Sequence, residues 1–139
     1  MRYPIHLPAL LLTAGLVPAC QAGGLVHPQL APDTVALAIG QAATLDGLTV
    51  RFVEVPTDSR CPTDVVCVWA GNAKVVLNTV VGGVERALAL NTNAGSATGP
   101  GAVEVDGFRI TLLGLDPAPR SEEPIPAGAY RATLELDRD

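Results

Sequence analysis

Histidine is almost missing from this chain of 139 residues: His6 and His27 are the whole supply. Everything after His27 must work without an imidazole. A Ser–His or Cys–His nucleophilic pair is therefore excluded from that part, and so is a zinc site built on the usual His and Cys ligands. Lysine is scarcer still, with Lys74 alone, and arginine carries the remaining positive charge. Nine basic residues stand against fourteen acids, a net charge of −5. That balance argues against nucleic acid or an anionic lipid surface as a partner, because both require basic patches. Aromatic residues make up 4% of the chain. The core must then be Val, Leu, Ile and Ala, with Phe52, Phe108 and Trp69 as its few large pieces. No segment longer than ten residues keeps a helical period.

The N-terminus reads as an export signal. Arg2 precedes an apolar run from Leu7 to Ala19, which is shorter than the roughly 20 residues of a spanning helix. Val17-Pro18-Ala19-Cys20 is similar to a bacterial lipobox, with Pro18 in place of the usual small residue. The expected organisation is a signal peptide over 1–19, a tether over 20–33 lipidated at Cys20, and one β-domain over 34–139. Two kinds of acyl attachment at one residue hold a protein on a membrane stably. His27 falls in the tether as a solvated residue. Gln21, where an inner-membrane retention signal would have aspartate, directs the expectation to the outer membrane or cell surface.

With Cys20 lipidated, Cys61 and Cys67 remain. An even pair in an exported chain predicts a disulfide. The loop it closes is short, worth about 2 kcal/mol in chain entropy. No metal and no other cofactor is expected.

The rest reads as strands. Val35–Ile39 and Ala42–Leu45 lead to Asp46-Gly47 and then to Leu48–Val55. Asp-Gly between alternating runs marks a two-residue hairpin turn. The apolar positions of the second run are Leu48, Val50 and Phe52, then Val53 and Val55. That one-residue phase switch flips the buried face and predicts a β-bulge or a sheet-switching bend near Phe52-Val53. Ala73–Val81, Gly82-Gly83 and Val84–Leu90 form a second hairpin. Ala102–Val105, Asp106-Gly107 and Phe108–Leu115 form a third, and Ala129–Leu136 is the last strand. Seven to eight such strands predict an all-β antiparallel sandwich or partly closed barrel.

Residues 46–56 and 106–116 look like copies, offset by 60, with Asp-Gly and the phase switch in the same places. Each is followed by a long loop and another strand. The reading is two related half-domains, whose loops 56–70 and 116–127 occupy equivalent places.

Loop 56–70 carries Asp58-Ser59-Arg60-Cys61-Pro62, then Cys67-x-Trp69-Ala70-Gly71; late in the chain come Leu115-x-Pro117-x-Pro119, Pro124-Ile125-Pro126 and Tyr130-Arg131-Ala132. This pattern resembles a family of small bacterial exported lipoproteins over most of residues 35 to 136. The resemblance implies an envelope-anchored β-domain and brings no catalytic residues with it.

Three functional readings follow. The first is a non-enzymatic binding or accessory module that uses loop 56–70, with Asp58, Ser59, Arg60, Asp64 and Trp69, and Arg120 from the second loop, toward an envelope protein. The second is an envelope hydrolase with Asp58 and Asp64 as paired carboxylates; a Ser59 nucleophile would have only Lys74 as a base. The third is a purely structural protein. In the bland account Asp58 caps the turn and pairs with Arg60 or Arg120, Trp69 is a core or half-buried anchor, and Asp116, Arg120, Glu122 and Glu123 form a solvated rim.

Overall fold

The computed structural model describes residues 33–139. The signal segment, Cys20, His27 and nearly all of the tether fall on residues outside it. The described part is two four-stranded antiparallel sheets facing each other across one core, a sandwich and not a closed barrel. The strands are β1 (Asp33–Ala38), β2 (Ala42–Leu45), β3 (Leu48–Asp58), β4 (Ala73–Val81), β5 (Val84–Asn91), β6 (Ala102–Val105), β7 (Phe108–Asp116) and β8 (Arg131–Arg138). One sheet runs β2-β3-β4-β5, the other β1-β8-β7-β6. The only helical turn among these residues is a 3-10 turn at Ala127–Ala129.

The hairpins form where the turn residues demand. Asp46 and Asp106 sit at φ 46° and 47°, each followed by a glycine at positive φ, as a two-residue turn of this hand requires. Both copies also carry the bulge. Ladder pairing jumps from Phe52 to Glu54 in β3 and from Leu112 to Gly114 in β7, positions 60 apart. The extra residues, Val53 and Leu113, point to solvent, while Val55 and Leu115 rejoin the core side. The expected burial of Val53 is thereby corrected. A bulge places two residues opposite one, so the unpaired one turns outward and only the next apolar position faces in.

The repeat goes further than the sequence indicates. β2, β3 and β4 correspond to β6, β7 and β8, and the fourth strand of each sheet comes from the other half of the chain. β5 completes the first-half sheet against β4, and β1 completes the second-half sheet against β8. Each half thus lends its neighbour an edge strand, and neither half can close its sheet alone.

The core is Leu48, Val50, Phe52, Val75, Leu77 and Leu90 from one sheet, and Leu37, Phe108, Ile110, Leu134 and Leu136 from the other. Burying each such side chain is worth roughly 1.5–3 kcal/mol. Trp69 is absent from it, and Tyr130 takes a buried aromatic place instead.

The sandwich has unlike poles. At one end lie the tight turns 46–47, 82–83 and 106–107. Asp33 pairs with Leu136 toward that end, so the chain enters there. At the other end β3 passes into the loop 59–72 and β7 into the loop 117–130.

Candidate functional site

The site is the loop pole, and its base is an ion pair. β3 continues through Pro56 and Thr57, which the sequence reading placed in the loop, and ends at Asp58. The Asp58 carboxylate there accepts from Arg60 Nε at 2.9 Å and Nη2 at 2.7 Å, and from the Arg60 backbone N–H at 3.1 Å. The same guanidinium donates to the carbonyls of Leu115 and Pro117 across the gap, the latter at 2.9 Å. Tyr130, between the 3-10 turn and β8, donates its hydroxyl to Asp58 at 3.1 Å. The Arg60 and Asp58 side chains are only 14% and 10% exposed. A fork of five N–H donors is suited to bridging a carboxylate and two carbonyls at once. Of the two expected partners for Asp58, the structure selects Arg60; Arg120 instead stands 4.0 Å from Glu123.

Burial pushes the Asp58 carboxyl up, but the Arg60 hydrogen bonds and charge, with the Tyr130 hydroxyl, outweigh it and hold the carboxyl below its usual range. Tyr130 is shifted up by burial and by the Asp58 charge beside it.

The loop rises from this base. Cys61 and Cys67 are bonded, their Cα atoms 5.9 Å apart. Ser59 donates its hydroxyl to the Asn72 carbonyl at 2.9 Å and accepts the Asn72 N–H at 3.2 Å, closing the loop's mouth with main-chain partners. Gly71 crosses so close to Ser59 that a Cβ there would lie 1.8 Å from the Ser59 carbonyl oxygen. Beneath it, the buried Asn91 accepts from Asn72 Nδ2 at 2.9 Å. The two long loops are also tied to each other. The Thr63 N–H donates to Pro119 at 2.9 Å, and Asp64 accepts from the Ser121 N–H and hydroxyl at 2.9 and 2.6 Å. Those Ser121 bonds hold the Asp64 carboxyl below its usual range.

The tip is apolar and exposed: Val65 at 45%, Val66 at 102%, Val68 at 88% and Trp69 at 81%. The expectation of Trp69 as a core or half-buried anchor is overturned. The disulfide and the Ser59–Asn72 closure turn residues 65–69 outward, and the space nearest the core is filled by Ala73, Leu115 and Tyr130.

The structure therefore joins Asp58 and Arg60 in one network, brings Asp64 beside the Arg120-bearing loop, and leaves Trp69 apart at the tip. Asp58 and Asp64 are separately engaged, and neither has the raised pKa of a general acid. The Ser59 hydroxyl is held by backbone and not by a base. Among the described residues, no three His, Cys, Asp or Glu side chains cluster as metal ligands do. Sequence reasoning missed Gly71, Asn72, Asn91, Ser121 and Tyr130 as parts of the site. Gly71 and Tyr130 left a trace, both standing in the pattern of the resemblance, and a buried tyrosine needs a partner for its hydroxyl.

No protein-family model, curated protein or solved structure matches this chain.

Proposed function

We propose that this protein is a lipid-anchored lipoprotein of the bacterial envelope, and that its β-domain is a non-enzymatic binding module. Its recognition element is the disulfide loop, offered to a protein partner. One observation carries the reading. Four exposed apolar side chains, one of them tryptophan, crown a loop that a disulfide, an ion-pair network and cross-loop hydrogen bonds hold in place. Contiguous exposed apolar groups are unusual on a lone soluble domain. Rigid aromatic anchors lose little entropy on binding and are favoured at the centre of interfaces.

The poles support the same reading. A lipid at Cys20 reaches the domain through a tether that joins β1 at the turn pole. The eleven-residue β3, which runs from the turn pole to the loop pole, is about 36 Å long. The disulfide loop then faces away from the anchoring membrane.

Photo-crosslinking in intact cells tests the proposal, with benzoylphenylalanine at Val66 or Val68 and, as a control at the turn pole, at Gly82. A discrete protein adduct from the loop positions, absent from the control and lost with Trp69→Ala, is the expected result. The same adducts from both poles, or none from the loop, would reject it.

A further inference from the structure

The loop pole also carries a hollow. Ile39, Val53, Val55, Pro56 and Ile125 line an open cleft of about 540 Å³, together with Glu54, Asp58 and Tyr130. That volume falls within the range of small-molecule sites and is ample for one indole ring. Val53 is in this wall only because the bulge turns it out of the core. Glu54 forms no ion pair among the described residues, and Asp58 is already committed to Arg60. On the tip side, Trp69 brings an indole N–H that requires an acceptor. Arg120, on the loop hydrogen-bonded to the disulfide loop, keeps a largely exposed guanidinium.

We propose that the partner of the disulfide loop is a second copy of this chain. Trp69 of each copy enters the cleft of the other, with Val66 and Val68 along its rim. Arg120 of each faces Glu54 of the other. This rests on the reading of the loop as a docking element and names its partner. Two-fold symmetry is the natural closure, because one surface then supplies both tip and cleft. A buried tryptophan contributes roughly 150–250 Å². Two such insertions, with the cleft walls and valines they cover, bury on the order of 1,000 Å², the low end for specific interfaces. The dimer is accordingly weak in solution. Anchoring both copies in one membrane raises their effective concentration. The net charge of −5 on each chain opposes association at long range, which the two Arg120–Glu54 pairs offset only locally.

Sedimentation velocity on the purified full-length protein, from about 1 to about 500 µM, reads the monomer–dimer equilibrium. Trp69 is the sole tryptophan, so its emission reports the contact directly. Dimerisation is expected with a blue shift of that emission at matching concentrations. Trp69→Ala and Val53→Arg, both at exposed positions, should each weaken it at least tenfold. An equimolar mixture of the two variants should recover a heterodimer, since one then supplies an intact cleft and the other an intact tip. A monomer across the whole range with solvent-like emission overturns the proposal, as does a dimer indifferent to both substitutions. A blue shift produced by phosphatidylglycerol vesicles and not by protein concentration would assign the tip to lipid and also overturn it. A monomeric result leaves the wider binding reading to be judged by the crosslinking experiment.

Discussion

Gly71 and Arg60 hold the site by opposite means, one by having no side chain and the other by engaging its donors on three partners. Gly71 combines a φ of 67° with a main chain pressed against Ser59. Gly71→Ala should cost more than about 2 kcal/mol, because backbone on both sides must move. Gly40→Ala, at φ 86° with open space around it, should cost about 1–2 kcal/mol from conformation alone. Urea unfolding of the two variants measures the difference. Arg60→Ala strands the Asp58 carboxylate among carbonyls and should cost about 2–3 kcal/mol, somewhat below a fully buried pair because both side chains keep some solvent contact. The pH dependence has a definite sign. Asp58 has a folded pKa below its unfolded value, so its contribution is present above about pH 4 and is lost as pH falls through the folded value. Tyr130 is shifted the other way, so its share is present below about pH 10 and lost as pH rises further. As pH falls from 6 to 2, unfolding free energies should fall less steeply for Asp58→Asn than for the parent chain; an unchanged slope would remove the ion pair from the acid response.

At the scale of the element, the paired bulges set where the site's acceptors stand. Beyond the extra residue Leu113, the strand faces the core with Leu115 and turns the Leu115 carbonyl toward Arg60. Deleting Leu113 would rotate everything after it by half a pleat. Leu115 would leave the core, a loss of about 2–3 kcal/mol, and the Arg60 contact would go with it. The expected outcome is a lower unfolding midpoint together with faster amide exchange in residues 59–72. Slower or unaltered exchange there would disconnect the bulge from the loop. The bulges were legible in the sequence, because a strand whose apolar positions shift by one residue must insert a residue or bend to keep them on the core. Their direction was not. Val53 and Val55 are equally apolar, and only the partner strand decides which of them is left over.

The molecule as a whole separates what is stable from what is displayed. The core lies between the sheets, away from the disulfide, and the exchanged edge strands β1 and β5 fasten the halves to each other. The double variant Cys61→Ser, Cys67→Ser should therefore stay folded and lose about 2 kcal/mol, with loss of amide protection confined to the two long loops. A chain unfolded without the bond would make the bridge a condition of the fold instead. The all-β class, the turn positions, the bulges, the repeat and the Cys61–Cys67 pairing follow from the sequence alone, since hydrophobic period, turn chemistry and cysteine parity act over short distances along the chain. Three matters belonged to tertiary structure. They are which half supplies each edge strand, which arginine Asp58 takes, and whether Trp69 faces the core or solvent. Each depends on groups brought together from far along the sequence, as Tyr130 and Leu115 are to Asp58 and Arg60, and residue type at one position does not encode its distant neighbours.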